Sequence, residues 1–113
     1  MAVTIEDSNT QASVIGTEHT LSTLSTAKVF VLVVDTVNMA LGDILELRLY
    51  VMALAGGTAR VAYYAAFTHN QDDEPIKISI PVTSPGRTNG FKATLKQTAG
   101  TGRNFDWDLL SVG

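Results

Sequence analysis

"LKQTAGTGRNFDWDLL" runs from Leu95 to Leu110, and the reading of its AGTGR centre decides the fold. A phosphate-binding loop needs G-x-x-x-x-G-K-[ST] between a strand and a helix, so that amides at the helix N-terminus meet the anion. Here Arg103 and Asn104 follow Gly102, and the residues beyond alternate as a strand. Phe105, Trp107 and Leu109 fall on one face, Asp106 and Asp108 on the other. The dinucleotide fingerprint fails as well, because no third glycine opens a helix. The glycines are therefore read as turn residues. They supply positive φ in a hairpin that pairs "FKATLKQ" (91–97) with "RNFDWDLL" (103–110).

The same two-residue period recurs upstream. "FKATLKQ" sets Phe91, Ala93 and Leu95 against Lys92, Thr94 and Lys96. In "PIKISIPV" (75–82) the alternation turns Ile76, Ile78, Ile80 and Val82 inward, and Pro81 marks a strand end or a sheet edge. "KVFVLVV" (28–34) is dense in β-branched and aromatic residues, as a strand buried on both faces is. "VNMALGD" (37–43) turns the chain at Gly42-Asp43. Residues 1–15 are polar and rich in Ser and Thr without a sustained period, and read as a flexible N-terminal arm. Residues 16–113 form a single domain. Seven to eight short strands separated by turn residues predict an all-β fold, an antiparallel sandwich or barrel.

The central hairpin carries the candidate contact surface. "DILELRLYVMAL" (43–54) places Leu45, Leu47, Leu49 and Val51 on one face and Glu46, Arg48, Tyr50 and Met52 on the other. Gly56-Gly57 signals a two-residue turn, and "TARVAYYAAFT" (58–68) runs back. A tight turn there sets Tyr50 opposite Tyr63, Met52 opposite Val61, and Glu46 opposite Phe67. Both faces then carry large apolar side chains. Either these are central strands, or Tyr50, Met52, Val61, Tyr63 and Phe67 meet a neighbouring subunit.

Composition narrows the function. The 113 residues are 45% hydrophobic and only 17% charged, below the usual quarter of charged residues, which favours a surface partly covered by another subunit. The net charge is −3 with Lys and Arg scattered singly, so no basic stripe offers itself to nucleic acid. The absence of cysteine removes disulfides, thiolate catalysis and zinc–cysteine sites. The N-terminus shows no secretory pattern and "VFVLVV" is too short to span a bilayer, so a soluble protein made in the cytoplasm is expected, with no membrane partner.

Three clusters invite chemistry, and each has a plainer reading. His69 with Asp72, Asp73 and Glu74 offers oxygen and imidazole ligands, but "DDE" lacks the alternate spacing and glycine of a calcium loop and reads as a solvated loop. His19 beside Glu18 lacks a G-x-S-x-G nucleophile elbow. Asp106 and Asp108 pair as glycosidase carboxylates do, yet they read as the solvated face of an amphipathic strand. No catalytic, cofactor or metal residue is assigned.

The segment "LKQTAGTGRNFDWDLLSVG", with "LGDILELRLYVMALAGGTARVAYYAAFT" upstream, resembles small β-rich head decoration or cement proteins of tailed bacteriophages. The likeness spans roughly residues 28–113. It implies a jelly-roll-like β-sandwich and a non-enzymatic structural role on the capsid exterior, with the major capsid protein and further copies of the chain as partners, often as a trimer. The Tyr50, Met52, Val61, Tyr63 and Phe67 surface would then be the oligomer or capsid interface. A head–tail connector or tail component, and a carbohydrate-binding module of a phage adhesin using Trp107 and Tyr63, are the alternatives.

Overall fold

The computed structural model describes residues 2–112. Its strands are β1 (Val3–Ala12), β2 (Glu18–Leu24), β3 (Val29–Asp35), β4 (Ile44–Val51), β5 (Arg60–Thr68), β6 (Ile76–Ile78), β7 (Val82–Thr83), β8 (Phe91–Ala99) and β9 (Asn104–Val112). They form two antiparallel sheets. The five-stranded sheet has the order β1-β9-β3-β6, with β7 also pairing β3, and the four-stranded sheet has the order β2-β8-β4-β5. Since β6 and β7 both lie against β3, they act as one strand interrupted around Pro81, the break that a proline imposes on an edge. Counted so, the order is 1-8-3-6 over 2-7-4-5, the arrangement of a jelly-roll sandwich.

The period-two pattern explains the two layers. Phe30, Leu32 and Val34 from β3 and Phe105, Trp107 and Leu109 from β9 line one inner face; Leu45, Leu47 and Leu49 from β4 and Phe91, Ala93 and Leu95 from β8 line the other. The Phe30 and Phe91 rings meet across the layers, with centroids 4.4 Å apart.

Four sequence expectations are corrected. Residues 3–12, read as an arm, are strand β1, paired along its length with β9 from Val3↔Val112 to Ala12↔Asn104. Its polar character reflects an edge position, where ladder hydrogen bonds rather than burial hold it. The AGTGR turn does not pair the strands it joins. Both edges of β8 are taken by β2 and β4, and both edges of β9 by β1 and β3, so the turn arches from one sheet to the other.

The β4–β5 hairpin is open over 52–59 instead of tight, which slips the register. Leu49 lies opposite Tyr63 and Leu45 opposite Phe67, while a bulge brings Val61 beside Tyr50. Finally, β3 is buried on one face only, and the isoleucines beside it point outward. Ile78 pairs with Val33 and Ile76 with Asp35, whereas Lys77 pairs with the buried Val34 and reaches inward until its Nζ stands 5.2 Å from the centre of the Phe67 ring. Of the four side chains read as inward, only Val82 is buried.

Trp107 is 5% exposed and its Nε1 has no hydrogen-bond partner among the described residues. Trp107→Ala should therefore cost about 4 kcal/mol by urea denaturation, through the cavity it leaves. Trp107→Phe, which removes the orphan donor with part of the ring, should cost less than half of that.

Candidate assembly surface

The residues that looked most like a binding motif are occupied with one another. Asp43 is 1% exposed. Its carboxylate accepts hydrogen bonds from the Ala40 N–H (2.9 Å), the Thr101 N–H (3.1 Å) and Arg103 Nε (2.9 Å). Burial alone would raise the Asp43 pKa, but these donors outweigh it and hold the carboxyl below its ordinary value. Gly100 has φ +92°, and a Cβ there would fall 2.0 Å from Asp43 Oδ1, so only glycine lets the loop close over the carboxylate.

The buried Gln97 completes the knot. Its Oε1 accepts from Ser13 Oγ, and its Nε2 donates to the carbonyls of Ala99 (3.0 Å) and Thr101 (2.7 Å). The Arg103 N–H donates to Ser13 Oγ at 2.8 Å. AGTGR thus encloses side chains of its own fold.

The five proposed interface residues do not share a face. Tyr50 and Val61 lie on the outer side of the four-stranded sheet. Tyr63 and Phe67, opposite Leu49 and Leu45, pack against the core, and Met52 follows the end of β4. Around Tyr50 the outer surface is a polar network. Tyr50 Oη donates to Glu18 Oε2 (2.5 Å), as does Thr94 Oγ1 (2.6 Å); Arg48 pairs with Glu46 at 2.8 Å and covers the Tyr64 ring; Lys92 lies over the Tyr50 ring. Burial raises the Tyr50 pKa and the Glu18 carboxylate raises it further. For Glu18, burial is outweighed by the Thr94 and Tyr50 hydrogen bonds, and its pKa is lowered.

The histidines brace loops. His69 Nδ1 accepts from the Gly42 N–H and His19 Nε2 from the Val14 N–H, both at 3.0 Å. Among the described residues no group of three or more His, Cys, Asp or Glu side chains is arranged to hold a metal ion. Trp107, buried in the core, presents no ring to a sugar.

The surface that sequence reasoning missed is the outer face of the five-stranded sheet. Cross-strand neighbours there form two apolar rows, Val3, Val112 and Val29, then Ile5, Leu110 and Val31; in the next row Val33 and Ile78 adjoin Asp108 of β9. Val3, Ile5, Ile78 and Ile80 are 66, 62, 64 and 57% exposed. The signal was present in "VFVLVV", apolar at both parities, and in the "IKISI" alternation, whose sense was inverted. At one end the face turns acidic. Asp35 lies directly opposite Asp106, and Asp108 follows two residues along β9. These three carboxylates, with Ser8, Val33 and Ile76, line a groove of about 410 Å³.

No family model, no curated protein and no solved structure matches this chain. The functional reading therefore rests on the residues and on what the two outer faces present.

The buried ion pair makes a sharp expectation. Asp43→Asn should cost about 3 kcal/mol, because Arg103 and two backbone amides lose their shared anion, and chemical denaturation measures the loss. Acid acts on the same groups. Glu6 is lowered by its hydrogen bond from Ser111 and by Lys28, and Asp43 and Glu18 are lowered too. Carboxyls with depressed folded-state values contribute fully above the unfolded range near pH 4 and lose that contribution as pH falls through the folded values. The melting temperature should hold from neutral pH to about pH 5 and decline below about pH 4, less steeply in Asp43→Asn.

Proposed function

We propose that this chain is a structural protein of a virion, a decoration or cement protein that coats the capsid exterior as an oligomer and does no chemistry. The observation that carries the proposal is the apolar outer face of the five-stranded sheet. Its exposed isoleucines and valine leave on the order of 500 Å² of hydrocarbon in water, at the upper end of the largest patch a monomer ordinarily shows. At ~25 cal/mol/Å² its burial is worth about 12 kcal/mol before costs, the scale needed to offset the ordering that association demands. The internally satisfied AGTGR loop and the resemblance of residues 28–113 to head decoration proteins support the same reading. On this reading the interface lies on the five-stranded sheet and not on the sheet that carries Tyr50.

Copy number in purified particles tests it. Quantitative mass spectrometry should give a ratio to the major coat protein of one to one or a simple fraction. A handful of copies per particle would move the chain to the neck or tail, and its absence from particles would overturn a virion role.

A further inference from the structure

The polar face of the four-stranded sheet meets water on acceptable terms; the apolar face of the five-stranded sheet does not. We propose that this apolar face packs against the same face of a second copy of the chain, giving a two-fold dimer whose β3 strands run antiparallel across the interface. The inference rests on the assembly reading above and names the occupant of the surface.

Shape comes first. The apolar side chains run over β1, β9 and β3 in two rows and continue onto β6 at Val33 and Ile78, four neighbouring strands that span about 15 Å at the usual spacing. A sheet face of this kind fits another sheet face, with side chains interdigitating at a layer distance of ~10 Å. A second copy supplies such a face with the same twist.

Area comes next. With the half-buried Val29, Val31, Val33, Leu110 and Val112 and the polar rim, the face offers on the order of 700 Å², near the ~800 Å² that each partner gives to a standard stable interface. Against a polar partner only one hydrocarbon surface leaves water. Against its own copy two leave together, which doubles the driving term for the same contact.

Charge then selects the orientation. Asp35, Asp106 and Asp108 stand at one end of the face, and the ion pairs among the described residues, Lys28–Glu6, Arg48–Glu46 and Arg103–Asp43, do not include them. A two-fold axis parallel to the strands would stack six carboxylates. An axis perpendicular to the strands, lying between the sheets near Val31 and Leu110, places each acidic end over the Val3, Val112 and Val29 end of the other copy. Like charges are kept apart only in this second arrangement.

Sedimentation velocity on the purified full chain, from about 1 to 100 µM, tests the proposal, with Kd values in that range or tighter expected for an interface of this size. The unaltered chain should sediment as a dimer. Ile78→Lys and Ile5→Lys, at exposed positions, should each weaken association by at least ~100-fold while the melting temperature of the monomer stays within a few degrees. Association should change by less than about threefold between about 50 and 500 mM salt. A strengthening with salt beyond about tenfold would mean that the carboxylates face one another, where screening relieves their repulsion, and would overturn the antiparallel arrangement. A chain that stays monomeric at 100 µM, or an oligomer indifferent to Ile78→Lys, would overturn the self-packed face. Should such a monomer still appear in particles at a simple ratio to the coat protein, the structural role would stand while this interface fell.

Discussion

The Asp43 carboxylate holds one whole end of the sandwich together. It stands at the start of β4, and its acceptor oxygens gather the 36–43 turn through Ala40 and the 100–103 arch through Thr101 and Arg103. Its own carbonyl accepts from the His69 N–H at 2.7 Å and so fixes the exit of β5. The remaining loop at this end is tied in through Gln97, whose carbonyl accepts from the Gly16 N–H, and through Ser13. Strands from both sheets enter and leave here. An anion buried without these donors would cost several kcal/mol; with them it becomes a common acceptor that sets how the two layers are joined.

The polar knot also explains why the AGTGR stretch looks like a ligand-binding motif. Glycines that let backbone amides converge on an anion are what phosphate loops use. Here the anion is a side chain of the same protein. Arg103, the residue that excluded the phosphate-loop pattern, is the cation that the buried carboxylate requires. Sequence shows that a turn is needed at this point but not what the turn encloses, because Asp43 lies nearly sixty residues away.

Much of the architecture was legible, for a physical reason. Where a strand alternates charge with hydrocarbon, as in "LELRLY" or "NFDWDLL", the solvation cost of the charge leaves one way to face. The β8 and β9 inner faces and the β4 inner face follow from that alone. Where both parities are tolerable, periodicity gives two faces without saying which is inner. Lys77 can be drawn inward because its stem is aliphatic and its ammonium finds the Phe67 ring and the sheet edge. Ser79 can be buried because its hydroxyl accepts from the Leu32 N–H. With both polar residues satisfied, the isoleucines are released to the outside. The register of β4 against β5 was illegible for a related reason, since a bulge beside Tyr50 moves Tyr63 from one face to the other without changing any composition signal. The N-terminal strand escaped notice because an edge strand held by backbone pairing needs no apolar pattern.

The Val3↔Val112 pairing puts the two ends of the described chain side by side, on adjacent antiparallel strands. Tension applied between these points would pull β1 away from β9 sideways, loading the ladder one hydrogen bond at a time instead of all at once. Such a zipper yields at low force and travels from Val3 toward Ala12, where Ser13 and Arg103 form the first firm knot. The sandwich beyond that point would remain intact while ten residues of chain paid out. A chain held at Val3 and Val112 therefore has an extensible first element and a stiff body, set by nothing more than which strand lies next to which.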